Sequence, residues 1–146
     1  MRVTLTWNQQ ADIDLHVVPP GCETTHISFM NRTACGGNLD VDDRGAVCVM
    51  PFVAPCDHTT SGTGPENVFW EGTPPTGSYL VCVVPYSGPA SSDPGTPSSF
   101  PASVTATVRV YVGGVLRTTF MRTFTASMSS ITCSATDPNF VGQFTL

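Results

Sequence analysis

Residues 104 to 124 carry the longest regular pattern in the chain, and its period is two. Val104, Ala106, Val108, Val110 and Val112 alternate with Thr105, Thr107, Arg109 and Tyr111. Gly113-Gly114 follows, and a second run extends from Val115 to Phe124. A period of two sends alternate side chains to opposite faces of a strand, and a diglycine suits a two-residue hairpin turn. Shorter runs of the same kind occur elsewhere: Val3 to Trp7, Ile13 to Val18, His26 to Met30, Val68 to Trp70, Tyr79 to Val84, Ser130 to Cys133 and Phe140 to Phe144. Tyr79 to Val84 is apolar almost throughout, as a strand covered on both faces would be. No segment has a convincing helical period. The expectation is an all-β chain, a single-domain antiparallel β-sandwich of eight or nine strands spanning residues 1 to 146.

Composition agrees. Of 146 residues only 12% are charged, Lys is absent, and Thr supplies 20 residues beside 13 Ser, 13 Gly and 13 Pro. Such a mixture is poor in helix formers and rich in strand and turn formers. A net charge of -5 argues against nucleic acid as a partner, because phosphates call for clustered cations. No apolar stretch approaches the length of a membrane helix, so membrane insertion is not expected. Two segments break the strand pattern. Residues 31 to 66 are rich in Asp, Gly and Cys, and residues 87 to 101 form a Pro/Ser loop. Loops of this length usually carry function or a staple.

Six Cys without a C-x-x-C pair point to disulfides and an oxidising compartment rather than to a zinc ribbon. Six Cys allow fifteen pairings. The pairing expected from position is Cys48–Cys56 across a short loop, Cys22–Cys35 around the third run, and Cys82–Cys133 between two β patterns. The opening Met1-Arg2-Val3 runs straight into a strand pattern and is not a signal peptide, so export requires a leader removed from this chain or outside it.

Nine of the eleven acids lie between Asp12 and Glu71. Asp12 and Asp14 project from one face of a strand, where like charges repel unless a cation or solvent separates them. A second group, Asp40, Asp42 and Asp43, follows Gly36-Gly37, and Glu66 stands alone after Pro65. Ca²⁺ takes six to eight oxygens, often from carboxylates on separate loops. The run from Asp40 is not an EF-hand, because its twelfth position is Pro51 and helical flanks are missing. Solvated turn residues are the plainer reading of these acids.

Leu5-Thr6-Trp7, Asp12-Ile13-Asp14-Leu15-His16, Pro20-Gly21, Gly36-Gly37-Asn38-Leu39-Asp40-Val41-Asp42, Pro65-Glu66-Asn67 and Pro75-Thr76-Gly77-Ser78-Tyr79 occur in this order. Together they resemble the YfaP-like family of bacterial domains of unknown function, whose pattern runs L-x-W, D-x-D-L-H, P-x-G, G-G-x-L-D-x-D, G-P-E-N and P-x-G-x-Y. The resemblance covers nearly the whole chain. It implies an exported or envelope β-sandwich and brings no enzymatic activity. It also favours Ca²⁺ as a bound ion, with Asp12, Asp14, Asp40, Asp42 and Glu66 as ligands and Asp43 as a secondary candidate. Residues 44 to 63, with Cys48 and Cys56, and the long stretch after Ser87 depart from the family pattern.

Competing chemistry has thinner support. His16, His26 and His58 lack zinc-site spacing, and no G-x-S-x-G elbow presents a nucleophile. Trp7 and Trp70 alternate within strands and read as core rather than as a sugar-stacking pair. Asn31-Arg32-Thr33 matches a glycosylation sequon, which means little if the source is bacterial, as the resemblance implies. Three functions remain in order of support. The first is a secreted, cell-surface or periplasmic, Ca²⁺-stabilised, non-catalytic module that binds protein or glycan. The second is a structural subunit that joins copies of itself through a terminal strand such as Val3–Trp7 or Phe140–Phe144. The third is a metal-dependent hydrolase.

Overall fold

The computed structural model describes residues 1–22, 24–43, 63–86, 100–128 and 131–146. These residues contain no helix and form nine strands: β1 (Arg2–Trp7), β2 (Asp12–Val18), β3 (Thr33–Ala34), β4 (Gly37–Leu39), β5 (Glu66–Trp70), β6 (Ser78–Tyr86), β7 (Val104–Val112), β8 (Val115–Phe124) and β9 (Phe140–Thr145). They make two antiparallel sheets, a six-stranded one in the order β3-β4-β5-β1-β7-β8 and a three-stranded one in the order β2-β6-β9. The architecture is the expected β-sandwich.

Alternation sets what lies between the sheets. Val3, Leu5 and Trp7 of β1, Val68 and Trp70 of β5, and Val104, Ala106, Val108 and Val110 of β7 are buried on the inner face of the larger sheet. They meet Ile13, Leu15 and Val17 of β2 and Tyr79, Val81 and Val83 of β6. Burying one such aliphatic side chain stabilises the fold by about 1.5–3 kcal/mol. Both tryptophans are core, each 5% exposed, with their indole N–H groups donating to the carbonyls of Ala11 and Cys35. The β7–β8 turn is closed by Gly113 and Gly114 at φ 58° and 79°, as a two-residue hairpin with positive φ at both central positions requires.

Two expected strands are replaced by irregular segments. His26 to Met30 contributes only isolated bridges, Val17 with Ile27 and Ser28 with Asn31. The Asn31 amide donates to the carbonyls of Thr25 and His26, which folds the run into a turn instead of a ladder. Residues 131–133 are not a strand either. Asp137 accepts from the Thr132 hydroxyl and the Ser134 N–H, and Asn139 donates to the Thr132 carbonyl, so side chains take the place of a partner strand. Conversely, the segment after residue 31 contains the short hairpin β3–β4, turned by Cys35 at φ 46° and Gly36 at φ 75°.

Gly37 shows why this hairpin has little apolar signal. A Cβ there would lie 2.5 Å from the Trp70 ring and 2.6 Å from Ile27 Cδ1, so the missing side chain makes room for its neighbours. Gly37→Ala is expected to lower unfolding free energy by about 1–3 kcal/mol through overpacking, measured by urea denaturation. Gly72→Ala, where nothing lies within 4 Å, serves as the control.

Two expected disulfides are present. Cys22–Cys35 joins the segment after β2 to the β3–β4 turn, and Cys82–Cys133 joins β6 to the segment before β9. Cys48 and Cys56 lie outside the described residues. Disulfides persist in oxidising surroundings such as the periplasm or the extracellular medium. Among the described residues no helix is long and apolar enough to cross a membrane.

Candidate metal centre

β2 begins at Asp12 and β5 at Glu66, and the two strands belong to opposite sheets. The Leu15 N–H of β2 donates to Glu66 Oε2 at 2.7 Å, a hydrogen bond that ties one sheet to the other. The Asp43 N–H donates to Glu66 Oε1 at 3.0 Å. Glu66 is 1% exposed, so both oxygens are held by backbone donors inside the protein. A carboxylate has about four lone-pair sites, so two N–H bonds leave room for further contacts.

Asp14 and Asp42 complete a group around Glu66. One carboxylate oxygen from each of the three lies within 4.8 Å of the others, and all three side chains are buried. At an effective dielectric near 20, two unit charges that close repel by about 3–4 kcal/mol. Full ionisation of the group is therefore costly unless a proton or a positive charge sits among them. The Glu66 carboxyl is pushed well above the usual carboxylate range by burial first, then by the charges of Asp14 and Asp42. The Leu15 and Asp43 N–H groups pull the other way.

The donors are all oxygen, the ligand type that hard cations such as Ca²⁺ and Mg²⁺ prefer. Oxygens on opposite sides of a Ca²⁺ ion are about 5 Å apart, so donors within 4.8 Å of one another can share a single ion. The buried group can thus hold a metal ion.

The remaining expected ligands are placed differently. Asp12 is buried at the start of β2 but is not in this group. Asp40 is exposed and fastens the turn after β4 to β5: its Oδ1 accepts from the N–H of Val41 and of Asn67, and its Oδ2 from the Asn67 amide. Asp43 is buried, with Oδ2 accepting from the Gly64 N–H. Asp43 supports the site by holding the turn and by giving its own N–H to Glu66. That role is visible in the sequence only as one more acid beside Asp42.

Two of the three histidines do meet. His16 is fully buried in β2, and its Nδ1 lies 2.9 Å from His26 Nε2. Among the described residues neither belongs to a group able to hold a metal ion, and His58 lies outside them. His16 Nε2 is buried without a hydrogen-bond partner. The pair instead pins the segment after β2 onto β2, beside the bridge between Val17 and Ile27.

Comparison with family models, with curated proteins and with solved structures finds no match for this chain.

Proposed function

We propose that this protein is an exported, non-catalytic β-sandwich interaction module that Ca²⁺ stabilises at one end, acting at the cell surface, in the periplasm or in the extracellular medium. The convergence of Asp14, Asp42 and Glu66 carries this reading, because three buried carboxylates at the junction of two sheets call for a counter-charge. The two disulfides support the oxidising location, and the ordered motifs shared with YfaP-like domains support the envelope setting. Calorimetric titration of Ca²⁺ into chelator-treated protein is expected to give saturable binding that Asp42→Asn abolishes. Absence of heat, together with a melting temperature indifferent to chelation, would remove Ca²⁺ from the reading.

A self-assembling subunit is the second reading, and the sheet order narrows it. β1 is paired on both sides, with β5 and with β7, so Val3 to Trp7 has no edge to offer another chain. Among the described residues β9 pairs only with β6, while β8 forms one border of the larger sheet and carries exposed Val115, Leu116 and Met121. The border strands among these residues are β3 and β8 in one sheet and β2 and β9 in the other. Assembly by strand addition would therefore use one of these edges, with β9 the one terminal strand among them.

A further inference from the structure

The outer face of the six-stranded sheet carries Arg2 and Arg109 in a molecule of net charge -5, with exposed Asp40 at its border beside Asn67. Inward alternation of β1, β5 and β7 leaves Arg2, Thr4, Asn67, Phe69, Arg109 and Tyr111 pointing outward. The register lines them up in two rows. Phe69, Arg2 and Tyr111 stand opposite one another across three strands, and Asn67, Thr4 and Arg109 form the next row. The outward positions within the six strands carry no Asp or Glu. Asp40, one residue past β4, is exposed and accepts from the Asn67 amide at 3.0 Å. One carboxylate thus borders the row of Asn67, Thr4 and Arg109, while Phe69, Arg2 and Tyr111 form a row without one.

These side chains are already ordered. The Arg2 guanidinium lies 5.0 Å from the centre of the Tyr111 ring. Thr4 donates to Asn67 Oδ1 at 2.8 Å, and Arg109 reaches the Thr6 hydroxyl at 3.4 Å. Ordering before binding reduces the entropy that a ligand must overcome. Phe69 and Tyr111 flank Arg2 at two strand spacings, about 10 Å apart. A flat sheet face has no unpaired backbone, so a peptide strand would bind at an edge instead. What this face presents is aromatic rings, hydroxyl and amide groups, and two guanidinium forks suited to carboxylate or sulfate.

We propose that this face binds an acidic polysaccharide, with sugar rings against Phe69 and Tyr111 and their anionic groups at Arg2 and Arg109. The proposal rests on the interaction-module reading above and names its partner. Polygalacturonate and heparin immobilised separately are the probes, with dextran and double-stranded DNA as controls. Wild-type protein is expected to be retained by at least one acidic polysaccharide, not by dextran, and more weakly by DNA. Arg2→Gln with Arg109→Gln should weaken retention by about tenfold or more, and Tyr111→Ser by several-fold, through lost charge-assisted and ring contacts. Both variants should keep the wild-type response of melting temperature to Ca²⁺, which separates failure of this proposal from failure of the calcium reading. Retention by neither polysaccharide, equal retention by DNA or dextran, or variants that bind as wild type overturns it.

Discussion

Replacing His16 by Asn is expected to make the folded protein markedly more tolerant of a drop in pH from about 7.5 to about 4.5, because buried His16 withdraws stability over that range. Burial, and next the neighbouring His26, lower the His16 pKa from 6.5 to about 3. Between those values the unfolded chain takes up a proton that the folded protein refuses. The His16 contribution to stability is thus complete above the unfolded pKa and is lost as pH falls, by up to about 1.4 kcal/mol per pH unit. Across a window of about three units the loss is on the order of 4 kcal/mol, a large part of the usual stability of a domain. His26 acts in the same direction: burial lowers its pKa, and a hydrogen bond with the Ile131 backbone opposes this less strongly. Urea denaturation at pH 7.5 and 4.5, both in chelator, measures the slope. His16→Asn retains a polar atom near the position of Nδ1 but cannot titrate, so on acidification it should lose less stability than wild type, the Glu66 contribution being common to both. Equal slopes in wild type and variant would show that His16 does not govern acid unfolding.

The fold was legible wherever a strand keeps one face in the core. Val3, Leu5 and Trp7, or Val104 through Val110, print their burial into the sequence as a period of two. The failures occur where side chains rather than a ladder satisfy the backbone. Thr132 and Ser134 gather around Asp137, and Asn31 bonds back to Thr25 and His26, and neither arrangement has a period to detect. The β3–β4 hairpin escaped notice because its packing depends on the absence of a side chain at Gly37. The acids were legible as a concentration but not as a constellation. Asp40 and Asp42 are two residues apart, yet one staples Asn67 at the surface and the other joins Asp14 and Glu66 inside. The difference is set by the path of the chain after β4, which residue type alone does not encode. Leu15 and Asp43 hold Glu66 through backbone N–H groups, and any residue except Pro could supply those.

Below its elevated pKa, protonated Glu66 relieves the repulsion that Asp14 and Asp42 would exert on its charge. In metal-free protein the folded state therefore binds this proton more tightly than the unfolded state does. The resulting stabilisation is fully present below the usual carboxylate pKa of 4.5 and is lost as pH rises through the raised folded value. This slope is opposite in sign to that of His16, so chelated protein should be most stable at an intermediate pH. A divalent cation competes with the proton for the same oxygens, and its stabilisation of RT ln(1 + [L]/Kd) grows as the carboxyl deprotonates. The expected result is a Ca²⁺-induced rise in melting temperature that is larger at pH 8 than at pH 6. Glu66→Gln removes one negative charge and should reduce that rise. It also presents an amide N–H₂ where a backbone N–H now donates, which costs about 1–3 kcal/mol for a buried unsatisfied donor. The two effects separate by condition: the hydrogen-bond loss lowers stability with or without metal, whereas the loss of ion binding appears only when Ca²⁺ is added. A wild-type calcium response that is independent of pH, or one that Glu66→Gln leaves intact, would place the ion away from these three carboxylates.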